Sequence, residues 1–185
     1  MIHGIRTAAL LAFASCALWA GCHQAPDPAQ LTAVDQLITT TDAALLTLNE
    51  LDRTRYHRSD SLFQEQRGSF IMHFDDTLDR NTAKALGDQF IALRASQEMG
   101  AAHERMIADI ATSSERLRTL RTDIANAAIG KEQATSIVAA EQQRHTIMIE
   151  AVHRVIDNYR LLQLAWDRRD SVASLIADTN PPMVP

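Results

Sequence analysis

A long and mostly apolar seam in the last third of the chain constrains the fold most. Residues three and four positions apart share one face of an α-helix, and an alternation of these two spacings is typical of helices that pack along their whole length. The seam consists of Val138, Glu141, His145, Met148, Val152, Val155, Tyr159, Leu162 and Trp166. It predicts one coiled-coil-like helix from about residue 131 to 178, ended by Asn180, Pro181 and Pro182.

Two earlier segments show the same helical periodicity. The first runs from about 29 to 55, with Leu31, Val34 and Leu48 on one face, and the second from about 80 to 128. Asp79 is a good N-cap for the second helix, and Gly130 suits the left-handed residue that follows its end. No segment alternates apolar and polar residues as a half-buried strand would, so we expect an all-α protein.

Residues 57–76 leave the architecture open. They carry Phe63, Phe70 and Phe74 at helical spacing, and Ser59 or Asp60 is a possible cap for a new helix start. If they continue the first helix, three helices of about 70 Å form an elongated up-down-up antiparallel three-helix bundle, which is the expected fold. The alternative is a compact four-helix bundle, in which this segment folds back on the first helix. In either case residues 30–178 form the bundle and 179–185 a disordered tail.

The amino terminus has three parts that indicate its processing. Arg6 precedes an apolar run from 7 to 20, which is too short to span a bilayer as a helix, and Ala20-Gly21-Cys22 follows. These residues resemble the signal peptide of bacterial lipoproteins, in which a small residue precedes the cysteine that receives lipid. Trp19 departs from that pattern, since a branched aliphatic residue is usual there. The resemblance covers only residues 1–22.

The resemblance implies that 1–21 are removed, that Cys22 carries a covalent lipid, and that 22–29 form a short tether. Cys16 leaves with the signal peptide, so one cysteine remains. The alternative is an ordinary secretory signal that leaves Cys22 as a free thiol. His23 follows Cys22, whereas in such lipoproteins an Asp there commonly retains the protein at the inner membrane. The outer membrane, facing the periplasm, is therefore the expected location.

Charge and motifs argue against two classes of function. With 18 basic and 23 acidic residues the net charge is −5, which opposes binding to nucleic acid. No phosphate-binding glycine loop, metalloprotease motif or serine-hydrolase motif occurs in the sequence. We therefore expect a protein that is not an enzyme and has no cofactor beyond the lipid on Cys22.

Histidine and methionine side chains give one candidate site. Met99, His103 and Met106 share a helix face, and a hairpin turn near Gly130 brings His153 level with Met106. A turn near Leu78 likewise brings His57 level with Met99. Imidazole and thioether groups suit copper or haem iron, so these five residues form a possible metal site. The competing interpretation is that they are ordinary core and seam residues.

The leading functional prediction is a non-catalytic envelope lipoprotein that contacts another protein or itself. A surplus apolar patch is expected on the exposed halves of Phe63, Phe70, Phe74, Tyr159 and Trp166. The alternatives are a periplasmic metal- or haem-binding bundle and a stress-sensing or chaperone bundle. Members of one such chaperone family carry a Leu-Thr-x-x-Gln motif, and the stretch Leu31-Thr32-Ala-Val-Asp-Gln36 is one residue too long for it.

Overall fold

A computed structural model describes residues 25–73 and 78–179. These ranges contain four helices and no strand. The helices are α1 (Pro28–Glu50), α2 (Thr54–His73), α3 (Arg80–Ala125) and α4 (Lys131–Thr179). The all-α helical bundle is confirmed, and the prediction of three helices is wrong. The predicted signal peptide, Cys22, Phe74, residues 23–24 of the predicted tether and residues 180–185 of the predicted tail lie outside the described residues.

The first segment breaks between α1 and α2. Leu51 has an extended backbone (φ −71°, ψ 131°), and its N–H bonds back to the carbonyl of Leu48 at 3.3 Å. One carboxylate oxygen of Asp52 then accepts from the backbone N–H of Thr54 at 3.0 Å and from its hydroxyl at 2.7 Å. Asp52 therefore caps α2, and the predicted caps Ser59 and Asp60 lie inside that helix instead.

The helices α1 and α2 lie one after the other along the α3–α4 hairpin. The start of α1 packs Val34 against Leu120 and Val138, and its end packs Leu48 against Ile110 and Val152. The next helix, α2, packs on the other halves of α3 and α4. No Cα atom of α1 comes within 8 Å of one in α2, so the compact fold-back alternative is wrong. At 1.5 Å per residue, α3 and α4 are each about 70 Å long.

The third cluster of the core belongs to α2 and lies away from the α3–α4 turn. Phe70 is fully buried there, and its ring meets Phe90 edge-on at 5.6 Å between centroids. Such edge-to-face pairs are a favoured arrangement of aromatic rings. The other buried residues of this cluster come from α2, α3 and α4: Tyr56, Phe63, Leu86, Leu93, Tyr159, Leu162, Ala165 and Val172. The predicted seam of α4 therefore serves both halves of the bundle.

A buried carboxylate fills one polar position of that seam. Glu141 is 3% exposed, and the guanidinium of Arg116 donates to both of its oxygens at 3.0 Å. Arg144 donates to one of them at 2.6 Å. Two charged partners replace the water that Glu141 loses on burial, which explains how a glutamate is accommodated between packed helices.

The α3–α4 turn is built on Ala127, not on Gly130. Ala127 has a φ of 51°, in the left-handed region that favours glycine. The N–H of Ala128 bonds to the carbonyl of Asp123 at 2.8 Å, and that of Ala127 to Ile124 at 3.1 Å, which is the Schellman pattern of a helix end. The predicted C′ role of Gly130 is wrong, because its φ is not positive. Its carbonyl instead accepts the first hydrogen bond of α4, from Ala134 at 2.9 Å.

The start of α1 is fixed against the start of α4. Asp27 caps α1 by accepting from Ala29 at 2.9 Å, and its other oxygen pairs with the Lys131 ammonium at 3.0 Å. Both contacts lower the pKa of Asp27, the Lys131 hydrogen bond most. The Gln30 amide donates to the Lys131 carbonyl at 3.0 Å and to the hydroxyl of Thr135 at 2.8 Å. The amino-terminal end of the bundle therefore lies beside the α3–α4 turn. No helix in residues 25–73 or 78–179 has the length and apolar character needed to cross a membrane.

Candidate functional site

His103 projects from α3 into the break between α1 and α2. Its side chain is fully buried, and Nε2 lies 2.9 Å from the carbonyl oxygen of Leu48. Because a carbonyl only accepts, Nε2 carries the proton and donates it to this buried carbonyl near the end of α1, which also accepts from the N–H of Leu51. The other ring nitrogen, Nδ1, is buried and has no hydrogen-bond partner among the described residues. His103 thus holds the broken end of α1 and presents one unused acceptor.

One tyrosine contacts this histidine, and a second tyrosine packs on the first. The ring of Tyr56, from α2, meets His103 edge-on at 5.6 Å and Tyr159, from α4, at 5.7 Å. Burial lowers the pKa of His103, although its bond to Leu48 acts in the opposite direction. Burial, with a smaller contribution from Tyr159, raises the pKa of Tyr56 to about 12. Both groups are therefore held in their neutral forms at neutral pH.

The other four predicted metal ligands occupy different surroundings. Met99 packs against the core cluster of α2, whereas Met106 packs against the cluster around Leu48. His57 and His153 are both exposed to solvent. Within the described ranges, no three His, Cys, Asp or Glu side chains form a group suited to a metal ion. That finding does not include methionine, so the five-residue metal site stays a prediction.

A polar groove of about 290 Å³ lies on the surface beside the break. Its walls include Arg53 and His57 on one side and Glu104, from α3, on the other. Asp60 also lines the groove, and its buried Oδ1 has no hydrogen-bond partner among the described residues. Two basic and two acidic groups therefore surround a space that suits a small polar ligand.

A second groove, of about 350 Å³, lies between α3 and α4 in the half of the hairpin away from the turn. We call it the α3–α4 groove; it is lined by Ala85, Asp88, Gln89, Ile91, Ala92, Leu161, Leu164, Ala165, Arg168 and Val172. Ile91 is 68% exposed, Leu161 56% and Leu164 50%. None of the three belongs to the core cluster of α2, so they form a separate apolar surface.

Two features define the floor and rims of the α3–α4 groove. The Gln89 amide donates to the carbonyl of Ala165 at 3.1 Å, which joins the two helices and fixes their relative level. Asp88 on α3 and Arg168 on α4 are both exposed, so the two rims carry opposite charges. The groove therefore combines exposed apolar side chains with one acidic and one basic edge.

The apolar patch predicted from sequence is not where it was expected. Phe63, Phe70 and Tyr159 are buried in the core, at 5%, 0% and 8% exposure. Trp166 is half-buried, with the guanidinium of Arg169 at 4.8 Å from its ring centre. The sequence does contain a pattern that indicates the observed apolar surface: Leu161 and Leu164 are three residues apart and share a helix face beside the seam. In comparisons with known proteins, no family model, no curated protein and no solved structure matches this chain.

Proposed function

We propose that the protein is a non-catalytic, lipid-anchored bundle on the periplasmic face of the bacterial outer membrane, and that it contacts a protein partner through the α3–α4 groove. The observation that carries this proposal is the exposure of Ile91, Leu161 and Leu164 in one groove. Contiguous apolar surface of this kind marks interaction sites on soluble domains, whereas scattered apolar residues do not.

The position of the anchor supports this assignment. With lipid on Cys22, the few residues before Pro28 keep the start of α1 within about 20 Å of the bilayer. Since Asp27 pairs with Lys131, the α3–α4 turn lies at this same end. Ile91 is then about 50 Å further along α3, at 1.5 Å per residue. The groove would thus face the periplasm, away from the lipid headgroups.

The test is photo-crosslinking in intact cells from a single reactive residue at position 91. The matched control carries the same residue at Leu46 on α1, which is 63% exposed but does not line the groove. We expect a discrete crosslinked protein from position 91 and none from position 46. Equal crosslinking from both positions, or none from position 91, would contradict the proposal.

A second candidate function is binding of a metal ion or small polar ligand at the polar groove. Its support is the buried, unpartnered acceptor Asp60 Oδ1, which lines this groove together with Arg53, His57 and Glu104. Metal analysis of the purified protein, followed by titration with copper and zinc, tests it. The candidate predicts stoichiometric binding that weakens in His57→Ala and persists in His145→Ala, whose imidazole bonds instead to Thr40 on α1. Absence of stoichiometric copper, iron or zinc would exclude the metal.

A further inference from the structure

We infer that the partner seated on the α3–α4 groove is a second copy of this chain, related by a two-fold axis parallel to the helices. This inference rests on the proposed function, because it names the occupant of the same groove. In such a dimer each α3 lies beside the α4 of the other copy. The four helices then form an antiparallel four-helix arrangement around the apolar groove, which is a common way to bury such a surface.

Charge complementarity across the axis supports this dimer. A two-fold interface is self-complementary, so any contact between two different residues occurs twice. Asp88 and Arg168 occupy opposite rims, and the Gln89–Ala165 hydrogen bond places these parts of α3 and α4 at one level. Rotation about an axis along the helices preserves that level. Asp88 therefore meets Arg168 of the second copy, and Arg168 meets the second Asp88.

The same two-fold rotation also brings apolar residues of the two copies opposite each other. Ile91 lies one helical turn from Asp88, and Leu164 one turn from Arg168, so the rotation also places Ile91 opposite Leu164 of the second copy. Ala92 and Ala165 lie between these larger side chains on the groove. Their small size lets the facing helices approach closely. Charged and apolar contacts are thus satisfied by one rotation.

Anchoring of both copies in one membrane favours an axis parallel to the helices over an axis perpendicular to them. A two-fold axis parallel to the helices leaves both α3–α4 turns, and both starts of α1, at the same end of the dimer. Both lipids then enter one bilayer. An axis perpendicular to the helices and through the groove would place the two starts at opposite ends, about 100 Å apart, because each groove lies about 50 Å from its own turn. Lipid anchoring therefore favours the geometry in which Asp88 and Arg168 pair.

The existing partner of Asp88 does not oppose this pairing. Lys84 contacts Asp88 at 2.6 Å within α3, and their side chains are 74% and 51% exposed. An exposed pair of this kind contributes little to stability, so Asp88 remains available to a second cation. Among the described residues, no carboxylate forms an ion pair with Arg168.

Disulfide trapping of the full-length protein in living cells tests the dimer. Two differently tagged copies are co-expressed, one with Ile91→Cys and one with Leu164→Cys. We expect a disulfide-linked heterodimer from this pair, and none when the Ile91→Cys copy is replaced by Leu46→Cys. No other cysteine is expected to compete, since the Cys22 thiol is occupied by lipid.

Charge reversal then tests the proposed axis, with each substitution placed in both copies. Asp88→Arg or Arg168→Asp alone should lower the trapped fraction about tenfold, because like charges replace both opposite-charge pairs. The double variant should restore it to near the starting value. Asp157→Arg, an exposed reversal on α4 outside the groove, should leave it unchanged. Circular dichroism of each variant checks that the helices are intact.

Two outcomes would overturn the inference. One is the absence of an Ile91–Leu164 heterodimer, and the other is failure of the double reversal to restore trapping lost in the single reversals. Either result leaves the proposed function standing if the photo-reactive residue at position 91 still captures a different protein. Loss of both signals would contradict the inference and the proposed function together.

Discussion

Ala127 occupies a backbone conformation that its side chain disfavours. Its φ of 51° ends α3 and starts the turn to α4, and an L-residue with a Cβ is strained there. The sequence contains a glycine only three residues later, at Gly130, which is why the turn was expected there. The helix end is set by packing of Ile124 in the core and by the hydrogen bonds of Ala127 and Ala128, not by the position of the glycine.

Replacing Ala127 with glycine should therefore stabilise the protein. Glycine adopts this conformation without the Cβ clash, and we expect the free energy of unfolding to rise by about 0.5–1 kcal/mol, net of the larger entropy of the unfolded chain. The neighbouring Ala128→Gly is the control, because Ala128 has no positive φ and should lose stability. Urea unfolding followed by circular dichroism measures both. A loss of stability in Ala127→Gly would show that the turn is not strained.

His103 makes stability depend on pH. Burial lowers its pKa in the folded protein below the ordinary imidazole value of 6.5, so the unfolded chain binds more protons just below that pH. The contribution of His103 to stability should therefore be constant above pH 7.5 and fall as the pH drops through 6.5. The slope from one such group is at most about 1.4 kcal/mol per pH unit.

The variant His103→Phe isolates this contribution. This variant keeps a ring against Tyr56 and removes both the titrating group and the hydrogen bond to Leu48. It should therefore have a lower free energy of unfolding than the wild type at pH 7.5, but that free energy should fall less as the pH is lowered. Some pH dependence should persist, since burial also lowers the pKa of His145. His153→Phe, at an exposed position of α4, controls for loss of an imidazole. An unaltered pH profile in His103→Phe would refute this assignment.

At the scale of the helices, periodicity identified α3 and α4 closely. Asp79 is the N-cap of α3, as expected, accepting from the N–H groups of Asn81 at 2.9 Å and Thr82 at 3.2 Å. The predicted ends of both helices lie within three residues of those observed. Long amphipathic stripes and a good cap are local signals, so they can be identified from sequence alone.

The break in the first segment could not be found in this way. Leu51, Asp52 and Arg53 interrupt the helix without glycine or proline, and apolar residues continue at helical spacing on both sides. The Asp52 cap at the break is local, but a further contact is distant in sequence, since His103 on α3 bonds to the carbonyl of Leu48. The candidate sites could not be found from local sequence patterns either. Which residues of α4 are buried, and that Leu161 and Leu164 are exposed, depends on where α2 packs.

Two glycines of these elements should respond in opposite ways to alanine. Gly68 is exposed inside α2 and Gly130 is the N-cap of α4, and an added Cβ meets no atom within 4 Å at either position. Gly68→Ala should raise the free energy of unfolding by about 0.5–1 kcal/mol, because glycine disfavours a helix interior. Gly130→Ala should lower it, because alanine is a poor N-cap. Thermal unfolding measures the melting temperature of both variants. Equal shifts in melting temperature would contradict these helix boundaries.

At the scale of the whole molecule, the bundle has two unlike ends. The end beside the α3–α4 turn is fixed by Asp27, Gln30 and Lys131 and is the one that would lie near the bilayer. The other end exposes the α3–α4 groove, with its exposed apolar side chains and opposite charges on its rims. If Cys22 carries lipid as proposed, a short tether at one end of the bundle would leave the other end facing the periplasm.

The central claim is the lipid on Cys22, and radiolabelled palmitate incorporation with membrane fractionation tests it most directly. The control is Cys16→Ala, which changes the cysteine expected to leave with the signal peptide. We predict that Cys22→Ala abolishes labelling and removes the protein from the outer-membrane fraction, while Cys16→Ala matches the wild type in both. Unchanged labelling and membrane association in Cys22→Ala would contradict the account.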